Sequence, residues 1–270
     1  MASRWPNRSC STRENAKLPI ARTSFRLTTL AASFLAALAL SLPLAHADAP
    51  AAPPEYAASY AVSYRGLDAG TLSFALRRTG GDRYVYETTA NPSFLARLVV
   101  GRNAVERSEL LVDADGVRPV KWTLKQGKGN SKDDGQLTFD WEAGRVTGIA
   151  DGQKVDLPVE PRLQDRLSIQ VAVMTALARG EEPGTIPLID DERIKRYSYR
   201  RTGTETVTTP FGAIETVVYE SAREGSDRRS RFWLAPSLGY VAVRAEQIRK
   251  GKVETVMEIR SLERDEAPAK

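Results

Sequence analysis

From Ser59 onward the chain alternates apolar and polar residues in short runs, each closed by turn-forming residues. Thr71–Leu76 shows the pattern, with Leu72, Phe74 and Leu76 on one face of an extended segment. Further strands are expected over Ser59–Tyr64, Arg83–Thr88, Val105–Val112, Val117–Lys125, Leu137–Trp141, Arg145–Ala150 and Gln153–Leu157. After Gly184 come Thr185–Ile189, Arg193–Arg201, Glu205–Thr209, Ala213–Ser221, Arg228–Leu234, Val241–Lys250 and Lys252–Leu262. Gly80-Gly81-Asp82, Asp113-Ala114-Asp115-Gly116, Asp151-Gly152, Thr209-Pro210-Phe211-Gly212 and Arg249-Lys250-Gly251-Lys252 supply the turns. Asn91-Pro92-Ser93 interrupts the strands, with Asn91 expected to cap a short helical turn over Phe94, Leu95 and Leu98. A polar loop, Gln126–Gly135, separates two further strands.

One segment changes period. Leu163, Leu167, Val171, Met174 and Ala178 recur at helical spacing, Ile169 and Val173 widen the apolar surface, and Gly180 follows as a C-cap. This predicts one amphipathic helix near 163–179. Asp165 and Ser168 fall in its first turn, where a carboxylate favours the helix dipole, and Arg166 is expected to face solvent. Many short strands joined by hairpins argue for a mainly β protein, an antiparallel sheet curled into a barrel or open half-barrel. The helix would plug or cover one side. Residues 56–262 are read as a single all-β domain, because a split near 158–184 would leave two small cores without a disulfide.

The apolar pattern ahead of this domain is of another kind. A basic stretch precedes the apolar run Leu30–Leu42, then Pro43, then Ala45-His46-Ala47, a small-x-small site. Residues 1–47 read as a cleavable secretory signal, cut after Ala47, which directs the protein to the periplasm by the general secretory route. Residues 48–55 read as a Pro/Ala-rich spacer and 263–270 as a charged, frayed tail. Cys10 and His46, the chain's only cysteine and histidine, leave with the leader. So does the net charge of +5, because 33 basic and 33 acidic residues remain. A nucleic-acid partner is therefore not expected, nor integral membrane insertion after cleavage.

Without histidine, a Ser-His-Asp triad is excluded, and without histidine or cysteine a soft-metal site lacks its ligands. No metal and no cofactor are expected. Asp113-Ala114-Asp115-Gly116 and Asp133-Asp134-Gly135 read as turns rather than calcium loops. Paired carboxylates remain available for glycan hydrolysis, with Glu87, Asp140, Glu142, Glu215 and Glu220 expected on strands. Arg228-Arg229-Ser230-Arg231 reads as a solvated strand edge. The aromatic residues are the remaining lead. Tyr60, Tyr64, Tyr84, Trp122, Trp141 and Trp233 are the candidates to line an apolar ligand pocket, with core packing as the alternative for each.

Several segments occur in a suggestive order: Tyr60-Ala-Val-Ser-Tyr64-Arg-Gly66-Leu-Asp-Ala-Gly70, Gly116-Val-Arg-Pro119, Gln164-Asp165-Arg166-Leu167-Ser168 and Thr209-Pro210-Phe-Gly212. Arg231-Phe-Trp233-Leu234-Ala-Pro236 and Gly239-Tyr-Val-Ala-Val243-Arg244 complete the set. Together they resemble an exported bacterial family known as domain of unknown function 3108. Ala242 stands where such proteins are expected to carry proline. The resemblance implies export and an all-β fold, and it brings no activity or catalytic residues to carry over.

Three functions stay open at this point. The first is a non-catalytic envelope protein that binds or carries an apolar molecule, a lipid or acyl chain. The second is an assembly factor acting through contacts with another envelope protein. The third is a carboxylate-dependent glycan hydrolase.

Overall fold

The computed structural model describes residues 53–94, 96, 103–126 and 134–264. The leader with Cys10 and His46, residues 48–52 of the spacer, Leu95, Leu98, loop residues 127–133 and the tail from 265 lie outside the described residues. The described residues belong to one compact unit.

Its strands are β1 (Tyr56–Tyr64), β2 (Leu67–Gly80), β3 (Arg83–Pro92), β4 (Ala104–Asp113), β5 (Gly116–Gln126), β6 (Gly135–Asp140), β7 (Arg145–Ala150) and β8 (Gln153–Pro158). Helix α1 (Ser168–Ala178) follows. Then come β9 (Thr185–Ile189), β10 (Ile194–Thr209), β11 (Gly212–Arg223), β12 (Arg228–Ala235), β13 (Val241–Arg249) and β14 (Lys252–Arg264). All 14 strands form one sheet in the order β8-β7-β6-β5-β4-β3-β2-β1-β14-β13-β12-β11-β10-β9. Every neighbour pair is antiparallel. The two meanders join at β1–β14, so the first and last strands meet mid-sheet. The sheet is open between β8 and β9, where the chain leaves it to build the helix.

The hairpins follow turn chemistry. Arg65-Gly66, Asp151-Gly152 and Lys250-Gly251 hold φ of 51° and 80°, 47° and 72°, and 48° and 75°. Two successive positive φ values give the turn whose twist matches that of the flanking strands.

The structure departs from expectation at several elements. The expected gap between Arg201 and Glu205 is a register shift within one long strand, β10, so the sheet absorbs an extra residue rather than ending. β3 runs on through Asn91 and Pro92 because Gly70 opposite lets the backbones approach, where a β carbon would collide with Asn91–Ser93. The helical turn that follows is capped from Ser93, whose Oγ accepts the Ala96 N–H at 3.4 Å, and not from Asn91. β14 continues through Glu263 and Arg264, two residues of the expected tail.

The helix begins five residues later than its periodicity suggests. Gln164 instead forms a parallel bridge to Leu188, its N–H donating to Pro187 O and its own O accepting from Ile189 N, both at 2.9 Å. Those backbone groups seal the free edge of β9 and are lost to the helix. Asp165 then caps α1 from upstream, its Oδ1 accepting the Leu167 and Ser168 N–H groups at 2.8 Å each. Ser168 Oγ accepts the Asp165 N–H in return, at 2.9 Å, a reciprocal capping box.

Nor is α1 amphipathic in the usual sense, since eight of its 11 residues are buried. Leu167, Val171 and Met174 pack with Tyr56, Tyr60, Phe74 and Tyr86 of β1–β3. Ile169, Val173 and Leu177 pack with Ile186, Leu188, Tyr219 and Leu234 from the other end of the sheet. A helix touching both meanders means that the sheet curls around it, which is the half-barrel arrangement. A third cluster, Trp122, Leu137, Phe139, Val146, Val155, Leu163 and Ile189, fills the β5–β8 corner.

Candidate functional site

Beside α1 the curled sheet leaves an open cleft of about 920 Å³. That volume is near the top of the range of about 300–1,000 Å³ usual for small-molecule pockets. Its apolar surface comes from Phe74 of β2, Ile169 and Met174 of α1, Phe232 and Leu234 of β12, and Met257 of β14. Alternation explains why these residues meet. Phe232 lies opposite Ala245, and Ala245 opposite Met257, so three adjacent strands present one apolar row.

Tyrosines floor the cleft on the β1–β3 side. Tyr60 stands edge-on to Phe74 with ring centroids 5.5 Å apart, and Phe74 stacks on Tyr86 at 5.7 Å. Each hydroxyl is used. Tyr56 and Tyr86 share a hydrogen bond of 2.7 Å, Tyr86 donates to Gln170 Oε1 at 3.1 Å, and Tyr60 donates to Ala242 O at 2.9 Å. Burial pushes all three phenols above their ordinary range, so they stay neutral and serve as donors rather than nucleophiles. Tyr86→Phe removes the middle hydroxyl of the chain and is expected to cost about 1 kcal/mol of stability. Urea denaturation monitored by circular dichroism checks this.

The acids in the cleft wall all have cationic neighbours. Lys195 bonds Asp190 at 3.0 Å and also bonds Asp191. Arg166 lies 3.6 Å from Asp151, and Arg65 bonds Glu254 at 2.5 Å. Burial opposes ionisation of Asp191, yet the bonds from Lys195 and the Arg193 N–H outweigh it and hold that carboxyl below its ordinary value. The Arg65 hydrogen bond lowers Glu254 likewise. A general acid needs the opposite shift. Of the carboxylates weighed from sequence, Glu220 is held by Arg231 at 2.7 Å, and Glu87 lies 3.6 Å from Arg107. Among the described residues no group of three or more His, Cys, Asp or Glu side chains is placed to hold a metal ion. No described helix is long and apolar enough to cross a membrane.

Tyr60 and Tyr64 line the cleft; the other four aromatic candidates do not. Tyr84 is buried beside the floor, with the Arg78 guanidinium 6.0 Å from its ring centroid. Trp122 is buried in the β5–β8 corner, its Nε1–H donating to Glu106 Oε1 at 2.7 Å under the Arg166 guanidinium, 4.6 Å away. Trp141 lies in the turn after β6 and donates to Pro119 O at 2.7 Å. Trp233 points to the face opposite Phe232 and donates to Glu205 Oε2 at 2.7 Å. Tyr56, Phe74, Tyr86, Tyr199, Met174 and Phe232 also line the cleft, beyond the aromatic candidates. Alternation already put Phe74 on an apolar face and Tyr86 beside Tyr84, but nothing local said which faces would meet.

Two charged readings also change. Arg166 is half-buried in the Trp122–Glu106–Asp151 cluster rather than solvated, because the segment that seals β9 draws it onto the sheet. Arg228–Arg231 is not at an edge, since β12 is paired on both sides, with β11 and β13.

The family model described as a protein of unknown function, DUF3108, matches residues 59–258. No curated protein matches the chain. Among solved structures, the chain is similar to a beta-barrel-like protein of domain of unknown function DUF1849 from Brucella abortus. The two share 11% identity over 80% of this chain and 100% of that one, with a TM-score of 0.48. It is also similar to a protein with a YmcC-like fold from Bacteroides fragilis, at 13% identity, over 80% and 100% of the two chains and a TM-score of 0.35. The hypothetical lipoprotein YmcC from Escherichia coli matches at 9% identity over 79% of this chain and 86% of that one, with a TM-score of 0.31. The fold described above rests on the strand pairing itself.

Proposed function

The chain belongs to the DUF3108 family, and from the cleft we propose that it binds or carries an apolar envelope molecule, a lipid or acyl chain, without catalysing a reaction. The observation that carries this reading is the cleft of about 920 Å³ walled by Phe74, Met174, Phe232, Leu234 and Met257. Phe232 and Met257 are only half-buried there, and apolar surface left exposed costs about 25 cal/mol per Å² unless a ligand covers it. The signal-like leader supports a periplasmic setting, in which such molecules must cross an aqueous space. The paired state of the cleft acids gives glycan hydrolysis no support.

Ala245→Trp is the direct test. Ala245 faces the cleft between Phe232 and Met257, so an indole there fills the site without deleting a contact. The wild type should bind the neutral probe N-phenyl-1-naphthylamine, and native mass spectrometry of protein from its source cells should show a bound apolar molecule. The variant should lose about 10-fold or more in affinity, about 1.4 kcal/mol. Equal binding by the two proteins, or none by either, would remove the reading.

One observation favours a second reading. Among the described residues β8 ends the sheet and pairs only with β7, leaving a row of backbone groups that a partner strand from another envelope protein could take up. Crosslinking from exposed Lys154 in intact cells should trap one dominant partner if this edge is used. A featureless adduct pattern argues against it.

A further inference from the structure

The wall formed by β11–β14 changes chemistry in rows. Phe232, Ala245 and Met257 make the apolar row. Two residues along, Ser230 lies opposite Gln247, and Gln247 opposite Thr255, a neutral polar row. Two residues further, Arg228 lies directly opposite Arg249. Arg223 joins them from β11, one position beyond the Ala222–Arg229 pair. All three arginines line the cleft. Rows on one face are about 7 Å apart, so the cationic row stands about 14 Å from the apolar one.

The arginines are poorly compensated. Asp227 reaches Arg249 only at 4.0 Å, with both side chains close to half exposed. Glu254 exerts some pull on Arg228 and Arg249, but its carboxylate is already bonded to Arg65. Arg223 and Arg228 form no ion pair among the described residues. The opposite face of the same strands is arranged differently. There Arg231 bonds Glu220 at 2.7 Å, and Arg244 bonds Glu246 at 2.8 Å. Like charges directly opposite each other weaken a sheet. This wall tolerates them on the side that faces the cleft and neutralises them on the side that does not.

Resting on the carrier reading above, we propose that the occupant is an anionic amphiphile. Its chain lies over Phe232, Met257 and Met174, and its phosphate or carboxylate head is gripped by Arg223, Arg228 and Arg249. Guanidinium groups suit such heads because their forked N–H donors bind two oxygens at once. Apolar, polar and cationic rows in that order match a chain, a linker and an anion.

Isothermal titration of the purified protein with hexadecyl phosphate, palmitate and hexadecanol tests this, since the three share a chain and differ in the head. The wild type should bind at least one anionic form about 10-fold or more tighter than hexadecanol, with the gap shrinking as salt rises. Whichever anion is preferred identifies the head. Arg228→Gln with Arg249→Gln should close the gap, leave hexadecanol binding within about 2-fold, and keep or raise Tm because a like-charge pair is relieved. Equal affinity for all three in the wild type, or a gap that survives the double variant, overturns the head site while leaving the carrier reading intact. Binding of none of the three overturns both.

Discussion

Asp165→Ala is expected to destabilise the protein by about 3–5 kcal/mol, more than loss of an ordinary helix cap at about 1 kcal/mol. The carboxylate is fully buried and accepts three hydrogen bonds, from the Leu167 and Ser168 N–H groups and from Ser108 Oγ at 2.6 Å. Ser108 lies on β4, so one side chain both starts α1 and ties it to the sheet. Alanine would strand all three donors in the interior. Asp165→Asn keeps an acceptor for the backbone groups and should cost about 1 kcal/mol near neutral pH. Chemical denaturation of the three proteins distinguishes these outcomes, and equal losses from Ala and Asn would contradict the capping role.

The same residue predicts a pH dependence of definite sign. Burial pushes the Asp165 carboxyl up to about 6, from an ordinary value of 3.8. Hydrogen bonds from Ser108, Ser168 and Leu167 pull it down, and the nearby Glu106 adds to the rise. Between about pH 4 and 6 the native protein therefore keeps a proton that the unfolded chain has lost. Its stability falls as pH rises across that window, by about 3 kcal/mol when complete. Asp156, Asp191 and Glu254 are shifted the other way, and their stabilisation is lost as pH falls below about 4. The difference between wild type and Asp165→Asn isolates the Asp165 contribution. That difference should slope only between about pH 4 and 6. A slope of opposite sign would mean that the hydrogen bonds outweigh burial.

Trp122→Ala should cost about 3–5 kcal/mol, the range for deleting a buried indole. Trp122 anchors the β5–β8 corner, and a β carbon on Gly135 would stand 2.7 Å from its ring, so nothing larger than glycine fits there. Its loss also strips Arg166 of its aromatic face and Glu106 of a donor. Trp122→Phe retains most of the volume and should cost about 1–2 kcal/mol. Because Trp122 does not line the cleft, the phenylalanine variant should bind N-phenyl-1-naphthylamine as the wild type does. Weakened binding at unchanged stability would return Trp122 to the ligand site.

Trp122 illustrates where reading from sequence runs out. Its apolar face was legible, but an aromatic on such a face can end in a sealed corner or a cleft wall, and only contacts distant in sequence decide which. Tyr60 and Trp233 make the same point, one lining the cleft and the other bonded to Glu205 on the far face. Leu163 misled in another way. Its helical spacing is real, yet Gln164 is needed to seal β9, and a backbone bridge replaces the first turn.

Period-two alternation and turn residues act between near neighbours, so strand placement, the hairpins at Asp151-Gly152 and Lys250-Gly251, and a mainly β architecture could be read from the residues alone. The absence of histidine and cysteine after residue 47 is likewise a matter of composition, and so is the balance of charge there. The pairing of β1 with β14, the opening between β8 and β9, and the burial of α1 on both faces required the folded chain, because each joins segments far apart in sequence. The cleft belongs to this second group. Its apolar rows and its arginine row come from strands whose alternation was plain, but the register and curl that set them facing one another are tertiary, fixed by packing around one helix.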